Sequence, residues 1–118
     1  MLPKNARLTT SADFSRATKS GIRVTTENYV GYLYIPAVTN QNSPKCGLII
    51  NKSVGGSVAR HALARKIRHA LAPLISELPQ GSLVVIRALA KKNSLGTTTE
   101  IKKIIRKLLE RSKKSSVL

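Results

Sequence analysis

Acidic residues are scarce in this 118-residue chain. Five aspartates and glutamates stand against 21 lysines and arginines, which gives a formal net charge of +16. Metal-dependent nucleases hold Mg²⁺ with clustered carboxylates, but here every acid is at least ten positions from the next. The five acids are Asp13, Glu27, Glu77, Glu100 and Glu110. This spacing argues against a metal site, and against a metal-dependent active site, within the chain.

Aromatic residues are also few. The chain has no tryptophan, one phenylalanine (Phe14) and three tyrosines between positions 29 and 34. Proteins that bind many single-stranded bases stack them on aromatic rings. We therefore expect any single-strand site to be small, and most of the affinity for a nucleic acid to come from phosphate contacts.

Long apolar runs and paired cysteines are absent from the sequence. No stretch approaches the roughly 18 apolar residues of a membrane span, and segment 1–7 lacks the apolar run of a signal peptide. The single cysteine, Cys46, has no partner for an internal disulfide, which is typical of a reducing compartment. These absences predict a cytoplasmic protein with no membrane association.

The chain combines a large positive charge with enough hydrophobic residues to form a core. Hydrophobic residues make up 42% of it, enough to offset the chain entropy that keeps polybasic tails disordered. The length suits one domain with a single core, so we predict one domain over 1–118. A large excess of cations in a small domain is typical of proteins that bind nucleic acid.

Hydrophobic periodicity and turn residues predict seven elements in the order α-β-β-β-α-β-α. They are a helix over 11–19, two strands within 23–35 broken near 27–28, a strand over 46–50, a helix over 57–75, a strand over 83–86 and a final helix from about 97. Segments 36–44 and 91–96 are predicted to be connections. Because helices and strands then share one core, we predict a single-domain α+β two-layer sandwich.

The helix predicted over 57–75 is amphipathic. One sector of it is apolar: Leu63, Ile67, Ala70, Leu71 and Leu74. Roughly opposite lie four basic or histidine residues: His61, Arg65, Arg68 and His69. Lys66 lies on the flank. The pattern predicts one apolar face and one cationic face.

The last helix has a similar division. Thr97 and Glu100 have the spacing of a capping box at its start. Its apolar positions are Ile101, Ile104, Ile105, Leu108 and Leu109. Its outer face carries Lys102, Lys103, Arg106, Lys107 and Arg111. We interpret this face most simply as a solvated surface, with contact to RNA as the alternative.

The start of the first cationic helix has features of an anion site. Gly55 and Gly56 let the backbone approach a ligand closely, and Ser57 is the predicted cap of a helix whose free N–H groups attract anions. Arg60 falls in the first turn, where a positive charge opposes the helix dipole. A phosphate partner would explain that placement.

The two histidines, His61 and His69, cannot form an acid–base pair. Eight residues separate them, so they lie about 12 Å apart along a helix axis, too far for both to act on one phosphodiester. No zinc-ligand, Walker A or dinucleotide-binding pattern occurs either. We therefore expect a binding protein that has no catalytic residues of its own.

The segment from Lys52 to Arg68 resembles the signature of the bacterial ribonuclease P protein subunits. In that signature a lysine, a glycine turn and an Arg-rich helix follow a short apolar strand. Further similar segments are 2–8, 13–14, 47–52 and 83–87. The resemblance covers about 5–111 and leaves a basic tail over 112–118.

This resemblance implies a function that the composition alone does not. The family binds a catalytic RNA, and the resulting 1:1 ribonucleoprotein removes 5′ leaders from precursor tRNA. The RNA holds the Mg²⁺ ions and performs the hydrolysis, so the protein is a non-catalytic subunit that binds no metal tightly. The family fold has a mixed four-stranded sheet with a left-handed β-α-β crossover, contrary to the usual right-handed rule.

The resemblance also implies roles for individual residues. The positions that match basic or neighbouring positions of the signature, and are expected to contact the catalytic RNA, are Lys52, Arg60, His61, Arg65, Lys66 and Arg68. The positions expected to line a cleft for the precursor tRNA leader are Phe14, Tyr32 and Arg87. The chain departs from the family pattern at His61, Ala62 and Ala64 on the helix, and at Thr18, where a second cleft aromatic is common.

Two other functions are compatible with the residues themselves. Size, charge and fold class equally suit a ribosomal or other RNA-scaffolding protein with no role in cleavage. A DNA-architectural protein is less well supported, because neither a minor-groove wedge nor a dimerising helix is evident.

Overall fold

The computed structural model describes residues 11–35, 44–89 and 97–116. Its helices and strands are α1 (Ser11–Ser20), β1 (Ile22–Thr25), β2 (Tyr29–Tyr34), β3 (Lys45–Ile49), α2 (Ser57–Leu71), β4 (Leu83–Ala88) and α3 (Thr97–Ser116). The predicted order of elements is confirmed, including the break that separates β1 from β2. The predicted connections over 36–44 and 91–96 lie outside the described residues, apart from Pro44.

The four strands form one mixed sheet in the order β1-β2-β4-β3. β2 pairs antiparallel with both β1 and β4, whereas β3 and β4 are parallel. Parallel neighbours require a crossover connection, and α2 supplies it between β3 and β4. The predicted α+β fold is therefore confirmed, while the left hand of this crossover stays a prediction.

The larger core lies between one face of the sheet and the helices α2 and α3. Side chains on both helices are fully buried there, at 0–1% exposure: Ile67, Leu71, Ile101, Ile104, Ile105 and Leu108. Gly31 on β2 makes this close packing possible, because a Cβ at that position would collide with Cγ2 of Ile104. The predicted apolar faces of both helices are confirmed.

The opposite face of the sheet is covered by α1, which packs mainly against β2 and β4. Ala17 is its fully buried residue, and Phe14 packs partly buried in the same cluster. Gly21 ends the helix by donating its N–H to the carbonyl oxygen of Ala17 at 3.1 Å. A Cβ at Gly21 would lie 2.8 Å from the carbonyl oxygen of Leu33, so glycine lets α1 end directly against β2.

Two details of α2 differ from the prediction. The α-helix ends at Leu71 and continues to Glu77 only as a 3₁₀ helix, because Pro73 has no N–H to donate and its ring collides with the carbonyl of the residue four positions earlier. Ser57 is not the cap. Gly56 occupies that position with extended backbone and makes no side-chain cap hydrogen bond, and Ser57 is the first helical residue.

Glu100 has a role that the capping-box spacing did not predict; the side chain of Thr97, the other member of that box, lies outside the described part of the structure. Its carboxylate lies against the turn between β1 and β2, where Thr26 Oγ1 donates to Oε2 at 2.6 Å. Asn28 donates its backbone N–H to Oε2 at 2.9 Å and its side-chain Nδ2 to Oε1 at 3.0 Å. The residue is 6% exposed, so a buried carboxylate attaches the start of α3 to this turn.

Candidate nucleic-acid interface

The cationic side of α2 is divided between two grooves. The first lies between α2 and the start of α3, with a volume of about 670 Å³. Its basic lining comes from Arg65, Lys66 and His69, and Thr98 closes it on the α3 side. Arg65 and Lys66 are both exposed, so their charges are available to a ligand in this groove.

The second groove lies between α2 and the residues at the end of β3, with a volume of about 360 Å³. Arg60, His61 and Arg68 line it together with Leu48 and Ile50. The structure thus brings five of the six predicted RNA-contacting residues onto α2, but in two groups instead of on one cationic face. We refer to them as the Arg65 groove and the Arg60 groove.

Arg60 is the residue whose surroundings sequence reasoning missed. Helical spacing places it between the apolar core sector and the cationic sector of α2, near Ile67 and Ala64. Its Nε is buried and has no hydrogen-bond partner within the described part of the chain. A buried donor without a partner is destabilising by about 1–3 kcal/mol, and an anion in the Arg60 groove is one acceptor that would remove that penalty.

Lys52, the sixth predicted residue, lies at the entry to α2. It is exposed and belongs to a single 3₁₀ turn, Lys52–Val54. Gly55 then donates its N–H to the Lys52 carbonyl oxygen at 3.1 Å and adopts φ 148°, ψ −170°, a conformation that side-chain-bearing residues rarely take. The predicted glycine turn is confirmed, and it holds Lys52 just before the N-terminus of α2.

The three residues predicted to contact the leader share the α1 side of the sheet. Side chains alternate between the two faces of a strand, and residues paired across strands share a face. Tyr32 pairs with Val85 and Arg87 pairs with Val30. Both valines belong to the cluster on the α1 side, so Tyr32 and Arg87 face that side too. Phe14 of α1 packs in the same cluster as Tyr32. Tyr32 is only 7% exposed, whereas Arg87 is exposed, so Phe14 and Arg87 are the more accessible members of this group.

Further residues on this face were missed at the level of sequence. Arg23 of β1 is exposed and lies opposite Tyr32 in the sheet register. On β3, Lys45, Gly47 and Ile49 belong to the same face by strand alternation. Lys45 and Ile49 are half-buried there, and Gly47 is buried. The alternation of side chains between the two faces of each strand was the signal that could have identified these residues.

The described residues contain no group of three or more histidine, cysteine or acidic side chains able to hold a metal ion. Asp13 lies 3.9 Å from the guanidinium of Arg16, and Glu100 already accepts three hydrogen bonds. Cys46 is buried, and burial raises the pKa of its thiol to about 12, so it is not a thiolate nucleophile at neutral pH. Among the described helices, none is long and apolar enough to cross a membrane.

Comparison with known proteins identifies the family. A family model described as Ribonuclease P matches residues 2–113. The ribonuclease P protein component of Mycobacteroides abscessus is 37% identical over 116 residues, covering 95% of this chain and 91% of its own length. That of Nocardia farcinica is 33% identical over 130 residues, covering 92% and 83%.

Solved structures show the same fold. The RNase P protein of Staphylococcus aureus has a TM-score of 0.67 at 24% identity, covering 92% of this chain and 95% of its own. The RNase P protein of Thermotoga maritima has a TM-score of 0.60 at 20% identity, covering 88% and 92%.

Proposed function

This chain belongs to the ribonuclease P protein family, the protein component of a tRNA-processing endoribonuclease, and from that membership we propose how it acts. It binds the catalytic RNA of ribonuclease P through α2 and the 5′ leader of precursor tRNA through the α1 face of the sheet. It assists a Mg²⁺-dependent cleavage that the RNA performs. The complex is a 1:1 heterodimer of RNA and protein that works in the cytoplasm.

The observation that carries this proposal is the pair of basic grooves on α2. The Arg60 and Arg65 grooves flank one helix whose N-terminus has no acidic residue in its first turn. Phosphate oxygens suit both, because arginine donates paired hydrogen bonds to them and a helix N-terminus attracts anions. An RNA backbone that crosses α2 would place phosphates in both grooves.

The acids of the chain support a division of labour in which the RNA holds the metal. Asp13 and Glu100 have partners, and Glu27 also has an interaction partner. The remaining two are exposed and lie on separate elements, Glu77 after α2 and Glu110 on α3. The described residues therefore do not fit a Mg²⁺ site, and we assign no catalytic step to the protein.

The histidines support the same conclusion. His61 lines the Arg60 groove and His69 lines the Arg65 groove. They face different surfaces of α2, so they cannot serve as acid and base on one phosphodiester. Their role here is to add hydrogen-bond donors to two RNA-binding grooves.

The α1 face of the sheet suits a short single strand. Arg87 and Arg23 provide exposed cations for phosphates, and Phe14 provides a ring for one base. Because so few rings are present, this site would hold only a few leader nucleotides.

The test is reconstitution with the cognate catalytic RNA and a precursor tRNA. We expect no cleavage by the protein alone, slow cleavage by the RNA alone at low Mg²⁺ and faster cleavage by the mixture. Mature tRNA and a non-cognate structured RNA serve as controls for specificity. Cleavage by the protein alone, or an unchanged rate on its addition, would overturn the proposal.

A further inference from the structure

The outer face of α3 carries four exposed cations that the proposed function does not use. They are Lys102, Lys103, Arg106 and Lys107, and we call them the α3 basic face. We propose that this face binds the phosphate backbone of a double-helical segment of the catalytic RNA, as a second contact separate from the α2 grooves. The inference rests on the proposed function for the identity of the RNA.

The four cations are only partly compensated by acids: the charge of Lys103 acts on Glu100, and Glu110 lines the same groove. Within the part of the chain that the structure describes, none of them forms an ion pair. Glu110, one turn further along the same side of α3, is exposed and is also not paired with them. The four cations outnumber these two acids, so this face keeps a net positive charge that is available to an anion.

The spacing of the cations makes this face unfavourable without a ligand. Lys102 and Arg106 are four positions apart, as are Lys103 and Lys107, so each pair has Cβ atoms about 5–6 Å apart on one side of the helix. Like charges at this spacing destabilise a helix. Phosphates bound along these two pairs of cations would offset the repulsion between the like charges.

The opposite side of α3 holds this face rigidly. Ile104 and Leu108 are fully buried against the sheet, and Glu100 attaches the first turn of the helix to the β1–β2 turn. Near the other end, Arg111 is exposed, as expected, but it donates from Nη1 to the backbone carbonyl oxygen of Arg23, so it is not counted with the α3 basic face. A rigid helix binds with less loss of conformational entropy.

The chemistry of the face favours the backbone of paired RNA over other partners. α3 contains no aromatic residue on which unpaired bases could stack. Among the described residues, the large hydrophobic side chains that are exposed are Ile35 and Val58, and neither is on α3. An apolar protein surface or a membrane interior would therefore find nothing to contact.

The position of α3 allows one RNA to reach both surfaces. α3 packs beside α2, and Thr98 lines the Arg65 groove. Lys102 lies one helical turn beyond Thr98. The α3 basic face is thus a neighbour of the Arg65 groove, displaced along α3 and outside that groove.

The first experiment compares two fourfold variants that have similar helix propensity. One is Lys102→Gln, Lys103→Gln, Arg106→Gln and Lys107→Gln; the matched control is Lys102→Arg, Lys103→Arg, Arg106→Lys and Lys107→Arg. Affinity for the catalytic RNA is measured across a range of salt concentrations. We expect the glutamine variant to bind about tenfold more weakly and to lose about two or more units of salt slope, and the control to retain the wild-type slope.

The outcomes separate this inference from the proposed function. If the glutamine variant keeps the wild-type affinity and slope while Arg65→Ala lowers both, the α3 basic face does not bind this RNA and the α2 assignment stands. If the wild-type protein fails to bind the catalytic RNA at all, the proposed function fails and this inference fails with it.

A second experiment maps the RNA strand. Cys46 is buried and unreactive, so a cysteine introduced on the surface can be labelled selectively with a hydroxyl-radical-generating iron chelate. We expect a label on Lys103→Cys to cleave paired nucleotides that differ from those cleaved by a label on Ala62→Cys, which lines the Arg65 groove. Background cleavage from position 103, with specific cleavage from position 62, would overturn the inference.

Discussion

The Glu100 carboxylate accepts hydrogen bonds from both the backbone N–H and the side-chain amide of Asn28, a residue 72 positions earlier in the chain. This pairing connects the β1–β2 turn to the first turn of α3. It couples the edge of the sheet to the helix that carries the α3 basic face. Asn28 is itself only 5% exposed, so the contact is shielded from water. Its loss should lower the stability of the whole domain.

We expect Glu100→Gln to destabilise the protein by about 1–3 kcal/mol. The glutamine side chain has one carbonyl acceptor in place of two carboxylate oxygens, so at least one buried donor from Thr26 or Asn28 loses its partner. Urea unfolding measures the change. Glu110→Gln is the control, because Glu110 is exposed, and an equal loss in both variants would contradict the role of the Glu100 carboxylate.

The same residue predicts a pH dependence of stability. Burial raises the pKa of Glu100, but hydrogen bonds from Thr26 and Asn28 and the charge of Lys103 outweigh it, so the pKa lies below its ordinary value. A pKa lowered by folding adds stability above the unfolded value, about 4.3, and this stability is lost as the pH falls through the folded value.

Unfolding curves for the wild type and Glu100→Gln between about pH 7 and pH 3 test this dependence. The difference in stability between the two proteins should shrink as the pH falls. A difference that stays constant across this range would show that the ionisation of Glu100 does not contribute.

The two glycines before α2 should respond differently to alanine. Gly55 has φ 148°, and a Cβ there would lie 3.0 Å from Cβ of Ala59, so we expect Gly55→Ala to be destabilising by about 1–3 kcal/mol. Gly56 has φ −71° and an added Cβ meets nothing within 4 Å, so Gly56→Ala should cost less. Thermal unfolding compares the pair, and equal losses would contradict the assigned backbone strain.

Arg65 should contribute one phosphate contact to RNA affinity. Removing a cation that neutralises a phosphate lowers the salt slope of binding by about one unit, so we expect this result for Arg65→Ala with the catalytic RNA. Arg65→Lys retains the charge and should retain the slope even where its affinity falls, because lysine lacks the paired donors. An unchanged slope in Arg65→Ala would remove Arg65 from the interface.

Phe14 should matter for the leader and not for the body of the tRNA. Phe14→Leu keeps an apolar side chain in the cluster with Tyr32 but removes the ring, so we expect near-wild-type stability. Stacking of one base is worth about 1–3 kcal/mol, which corresponds to weaker binding of leader-bearing tRNA to the reconstituted complex. Mature tRNA is the control, and equal weakening of both tRNAs would mean that Phe14 serves only as packing.

Local patterns predicted most of the fold. The apolar spacing on α3 identified Ile101, Ile104 and Leu108 as buried, and the glycine pair identified the turn before α2. These features depend on residues a few positions apart, whose relative placement helical geometry determines. The family resemblance was confirmed by comparison, while the RNA contacts of individual residues stay predictions.

Features that depend on distant residues were not predicted. Thr26 and Asn28, which donate to Glu100, lie more than 70 positions away from it, so no local spacing could have indicated these hydrogen bonds. The separation of Arg60 from Arg65 into two grooves depends on where β3 and α3 flank the helix, which periodicity within α2 cannot reveal. Pro73, by contrast, was visible in the sequence, and its effect on the end of α2 was overlooked.

The strand order carries a consequence for how the protein is made. β4 lies between β2 and β3, although it is the last strand to leave the ribosome. β2 and β3 cannot join into one sheet until residues 83–88 have emerged, so the complete sheet assembles late. The basic helix α2 is therefore synthesised before β4, the strand that completes the sheet on which it packs. The Arg65 groove is completed later still, because Thr98 of α3 lines it, so the basic residues of α2 are synthesised before either groove can take its final shape.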